Sequence, residues 1–122
     1  PGYAFLPPAD GLYIHTNHVL SGPPLETVER PPVYGLDGSQ HRLERLRELL
    51  RHSRGSITSE SAWAALSDHA NYPDSICSDA RAFGGLTTAA VIVEPRNRLM
   101  HVARGLPCRN PPVTVTLDPE PA

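Results

Sequence analysis

The stretch LTTAAVIVEPRNRLMHVA, Leu86 to Ala103, decides the fold class. Leu86 to Val93 is dense in Thr, Val and Ile, which suit a pleated surface, and Arg98 to Ala103 alternates at the period of a strand. Glu94-Pro-Arg-Asn97 between them has turn chemistry, so the two runs are expected as an antiparallel hairpin. Val113 to Leu117 alternates again and predicts a third strand.

Upstream of this hairpin the period is helical. Leu43, Leu46, Leu49 and Leu50 recur at helix spacing, with Asp37 or Ser39 as the cap and an end near Ser53, where Gly55 stops the run. The other face carries Glu44, Arg45, Arg47, Glu48 and Arg51, with Glu44–Arg47 and Glu48 with Arg51 or His52 as the expected local ion pairs. Thr58 reads as the N-cap of a second helix, with Ile57 and Ala62 as a hydrophobic staple, running through Trp63 and Leu66 to about His69 before Asn71 and Pro73. Near the start, Gly11 to Thr16 has the content of a short strand. The Gly- and Pro-rich span from Ser21 to Gly38 reads as a long ordered excursion of the kind that lines sites. The fold class is therefore α+β, with mainly antiparallel strands and two helices.

The 122 residues allow one domain at most, residues 1–122 as a single segment. Fourteen Pro and nine Gly break the apolar residues into short runs, which suits a piece of a larger core. The chain opens at Pro1 without Met, as a segment cut from a longer chain would. All 11 basic side chains are Arg, as a GC-rich bacterial genome would encode, and they form no stripe at a net charge of -2, which argues against nucleic acid as a partner. No apolar run approaches the roughly 18 residues of a membrane helix and no signal peptide is visible, so a soluble, cytoplasmic protein is expected. Cys77 and Cys108 lack CxxC spacing and read as buried thiols, a disulfide between them being the lesser alternative.

Six histidines invite a metal reading, but His15 and His18 fall at a strand end, where three-residue spacing does not align two rings. His41, His52, His69 and His101 lie on separate elements, so neither a metal nor another cofactor is expected. No GxSxG, GxGxxG or GxxxxGK[ST] occurs, so no self-contained hydrolase or phosphate cradle is written here. The one unusual combination is Thr16-Asn17 flanked by His15 and His18. An Asn amide fixed there could donate N–H to a developing oxyanion, although a turn cap is the commoner fate of Asn at a strand end.

Several blocks carry a resemblance. Gly-Leu-Tyr-Ile-His-Thr-Asn-His (11–18), Arg30-Pro31, Asp37-Gly-Ser39 leading into Arg42-Leu-Glu-Arg45-Leu, Ser75-Ile-Cys77 and Thr87-Thr-Ala-Ala-Val-Ile follow in order. Together they resemble the C-terminal part of the acyl-coenzyme A:6-aminopenicillanic-acid acyltransferase family, peptidase family C45 of the Ntn hydrolases. The resemblance spans residues 3 to about 110.

It implies the C-terminal part of an αββα sandwich, in a precursor whose autoprocessing exposes an N-terminal Cys. That Cys attacks an amide or thioester, with its own α-amine as base. The nucleophile would lie upstream, and Cys77 falls in the buried Ser-Ile-Cys block, so this chain alone is expected to be inactive. Asn17 matches the oxyanion-hole asparagine. Arg42 matches the arginine that holds the thiol charged, beside its alternative as one more member of the solvated Arg/Glu face. His15 and His18 would hold the Asn17 loop at the substrate side. Tyr13 and Tyr34 are candidates to line a substrate pocket, beside the commoner alternative of a strand Tyr packed with its OH at the surface. Trp63 reads as packing. The expected partners are the N-terminal part of the same protein and a small-molecule amide or acyl substrate. The competing reading is a non-catalytic, stand-alone interaction module that uses the proline-rich 21–38 loop as its surface.

Overall fold

The structure is a computed structural model that describes residues 7–8, 11–17, 20, 36–80 and 85–117. The chain divides into two compact units, Pro1–Ser56 and Ile57–Ala122.

In the first unit the leucine stripe folds as helix α1, Leu36–Leu50. Leu43 is buried and Leu46, Leu49 and Leu50 are half-buried, so the stripe faces inward as its spacing requires. The helix starts at Leu36, so Asp37 and Ser39 both lie inside it and neither is its cap; Ser39 is a buried residue of its first turns. The side chain of Asp37 lies outside the described residues. After Leu50 the chain turns through Arg51 N–H to Arg47 O and Ser53 N–H to Leu50 O, and Gly55 takes a φ of 74° that favours glycine. Among the described residues the outer face pairs Arg45 with Glu48 at 2.8 Å, and the expected Glu44–Arg47 and Glu48–Arg51 pairs do not form. Residues 11–16 form no strand ladder: Leu12 makes a single bridge and residues 13–16 are irregular. The proline-rich loop from Ser21 through residue 35 lies outside the described residues.

The second unit joins one helix to one sheet. Helix α2, Ser59–Leu66, opens on Thr58, whose side chain accepts from the Ser61 N–H while the Ser61 hydroxyl accepts from the Thr58 N–H. This is a reciprocal capping box with Ser at the third position. The helix ends at Leu66, short of His69, and Asn71 then adopts a φ of 67°. Ile57, expected as a staple, is exposed.

Strands β1 (Ala89–Glu94), β2 (Leu99–Arg104) and β3 (Val113–Thr116) form an antiparallel sheet in the order β1-β2-β3. The expected hairpin turn sits between β1 and β2, closed by Asn97 N–H to Glu94 O, with Arg98 at a φ of 53°. The register sets Ala90 opposite Ala103 and Val91 opposite Val102, while Met100 faces Val115 and Val102 faces Val113. Two unlike faces result from the period of two. Ala90 and Ala103 are buried on the face that also carries Ile92, Glu94 and His101, and α2 packs on β1. Val91, Val93, Val113 and Val115 are exposed on the other face, beside half-buried Met100 and Val102. Among the described residues no helix is long and apolar enough to cross a membrane.

Candidate functional site

The first unit brings Thr16 and Asn17 against α1. The backbone N–H of Asn17 donates to the Ser39 hydroxyl at 2.8 Å, that hydroxyl donates to Thr16 Oγ1 at 3.0 Å, and Thr16 Oγ1 donates to the Ser39 carbonyl at 2.9 Å. Ser39, buried one turn before Arg42 on the helix, thus anchors the corner that carries Asn17. One turn on, Arg42 Nη2 donates to Asn17 Oδ1 at 2.7 Å. A guanidinium has donors only, so it selects the carbonyl end of the amide and turns the Nδ2 hydrogens away from itself. The local chemistry is a neutral amide donor with its orientation imposed by a cation.

Tyr13 and His15 extend the same segment, with rings stacked 6.3 Å apart and 9° from parallel. Tyr13 borders an open groove of about 640 Å³, together with Leu12, Ile14, Glu44, Arg47 and Arg51. Asn17, Arg42 and His15 are not among its lining residues. His18 and Tyr34 lie outside the described residues. Of the six residues expected at a site, Asn17 and Arg42 therefore meet directly, Tyr13 and His15 stack beside them in sequence, and Ser39 joins them. The sequence offers Ser39 only as one of two cap candidates; the fold reveals it as the residue that ties the 16–17 corner down.

The second unit knits the Ser75-Ile-Cys77 block to the Thr87 segment. Ser78 N–H donates to Thr87 Oγ1 at 3.0 Å and Thr87 N–H to Ser78 O at 2.8 Å, while Ser75 Oγ donates to Cys77 O at 2.6 Å. Cys77 is fully buried as expected, whereas Cys108 is exposed. Both are free thiols, with Sγ atoms 3.4 Å apart. Burial, followed by the hydrogen bond to Cys108, pushes the Cys77 thiol up to about 11. His69 joins them: its ring nitrogen and the two sulfurs all lie within 4.8 Å of one another. Intervals of eight and 31 residues match no compact ligand motif, so this grouping is invisible in the sequence.

On the covered face of the sheet, Glu94 accepts from Asn97 Nδ2 at 2.6 Å and pairs with His101 Nε2 at 2.8 Å. Those bonds, Asn97 first, together with one from Ser59, hold its carboxyl below the usual range. The other ring nitrogen of His101 lies 2.9 Å from Thr114 Oγ1. Because a carboxylate only accepts, His101 carries its proton on Nε2, and the chain Glu94–His101–Thr114 crosses all three strands.

No protein-family model and no curated protein matches this chain.

Proposed function

We propose that the chain is the C-terminal part of a cysteine Ntn hydrolase of the C45 type, which hydrolyses amides or transfers acyl groups. The reading rests on the resemblance of the blocks quoted above, and the observation that carries it is the hydrogen bond from Arg42 to Asn17 at 2.7 Å. The resemblance selects these two residues from separate blocks, and they are in contact across 25 positions of chain. The exposed valine face of β1–β3 also favours it, since an αββα sandwich stacks a second sheet on such a face.

In this mechanism the thiolate of an upstream N-terminal Cys attacks the carbonyl carbon of an amide or thioester. The carbonyl π pair moves onto oxygen, and Asn17 Nδ2–H donates to that oxyanion. The α-amine takes the thiol proton and returns it to the departing amine or thiol. Water or an acceptor amine then releases the acyl group. Arg42 fixes the amide through Nη2, and its remaining N–H donors are left to favour the thiolate.

The test uses the processed full-length protein. Asn17→Ala is expected to lower kcat by roughly 10²–10³ with its fold intact, as for loss of one oxyanion donor. Arg42→Lys keeps the charge but loses the planar fork, so the iodoacetamide-labelling profile of the upstream Cys should move to higher pH. A folded Asn17→Ala with normal turnover, or superimposable labelling profiles, refutes the assignment.

A further inference from the structure

We propose that His69, Cys77 and Cys108 bind a divalent, borderline-soft metal ion of the zinc class. Three separate stretches of chain converge on this point, and each is held there by bonds that do not involve a ligand side chain. Cys77 N–H donates to Asp68 O at 2.9 Å, next to His69. Trp63 Nε1 donates to Pro107 O at 3.2 Å, next to Cys108. The turn that carries Cys108 is closed by Arg109 N–H and Asn110 N–H to Leu106 O. The convergence is therefore a property of the backbone rather than of thiol contact alone.

The spacing suits a shared ion. The two sulfurs stand 3.4 Å apart. Two thiolates on one tetrahedral zinc, with Zn–S near 2.3 Å, would be separated by about 3.8 Å. A few tenths of an ångström of opening between the sulfurs, with the imidazole drawn in from within 4.8 Å, admits the ion. Two sulfurs and one imidazole form a donor set that favours zinc over magnesium or calcium, whose ligands are oxygens. Both thiol protons leave to solvent on binding, so the two thiolates balance the charge of a divalent ion. Arg109, next to Cys108 in the chain, is drawn onto Asp79 at 2.7 Å. His69 and Cys108 are exposed, so an ion can reach the three donors from solvent.

The experiment titrates cobalt(II) into the full, reduced chain under nitrogen. Expected are a thiolate-to-cobalt charge-transfer band and tetrahedral d–d bands that saturate at one ion per chain and vanish when zinc is added. Cys108→Ser and His69→Ala replace exposed residues and leave the buried thiol in place, and circular dichroism checks their fold. Each should weaken cobalt binding by more than the roughly 10–100-fold that loss of an outer-sphere partner costs. The proposal is overturned if the bands are absent or fail to saturate at one ion, or if either folded variant binds cobalt as the parent does. A chain that shows no cobalt bands when reduced but forms a Cys77–Cys108 disulfide in air overturns it in favour of a redox pair.

Discussion

Arg42 Nη2 donates to Asn17 Oδ1 at 2.7 Å, and the direction of that bond orients the amide. A carboxamide can present either end, and only a partner of fixed polarity chooses between them. Arg42 stands on a helix, one turn beyond the residue that clamps the Asn17 backbone, so amide and clamp share one rigid support.

Ser39→Ala removes that clamp. The Asn17 N–H loses its acceptor and Thr16 Oγ1 loses a donor in a partly buried setting. The expected cost is about 1–3 kcal/mol, read as a lower denaturation midpoint with an unchanged slope.

The hydrogen-bonded Glu94 carboxylate is expected to make the second unit sensitive to acid. Its carboxyl is held below the ordinary value by Asn97 first and then by His101. A folded group with a depressed value binds fewer protons than the unfolded chain, so its stabilisation is present above the unfolded value and is lost as pH falls through the folded one. Asn97→Ala should move the Glu94 titration upward, toward the ordinary range, in a carboxyl-detected NMR titration, and the acid transition should move to higher pH with it.

The two thiols differ in reach. Cys77 is fully buried, with its thiol pushed up to about 11, and Cys108 is exposed. Iodoacetamide added to the reduced, metal-free chain near neutral pH should modify Cys108 first and leave Cys77 unmodified until the fold opens. Peptide mapping by mass spectrometry against time checks the order.

The valine face of the sheet should govern association of the isolated chain. Val93 and Val115 are about half and two-fifths exposed on the side of β1–β3 away from α2. Replacing both by Thr keeps the β-branched shape and removes apolar surface. Light scattering should show less aggregation, with little change in thermal midpoint.

Local chemistry sufficed wherever partners lie within a few residues. The leucine stripe of α1, the Thr58 cap of α2 and the Glu-Pro-Arg-Asn turn are decided by spacing, a hydroxyl at the right place and turn residues, and all are legible in the sequence. Element ends were less so: α1 begins before Ser39, whose hydroxyl has partners at Thr16 and Asn17 that no local rule foresees. The strand expected at residues 11–16 fails for a related reason, since β content makes a strand only where a neighbouring ladder receives its backbone groups.

The candidate sites follow the same division. Asn17 and Arg42 could be named from their sequence blocks, but which end of the amide meets the guanidinium is a matter of tertiary contact. His69, Cys77 and Cys108 are scattered over 40 positions, and only the bonds that draw the end of α2, the 75–78 stretch and the 106–110 turn together place their donor atoms within 4.8 Å. Sequence determines what depends on neighbours along the chain. Groupings across long loops depend on the sum of many weak contacts, and those exist only once the chain has folded.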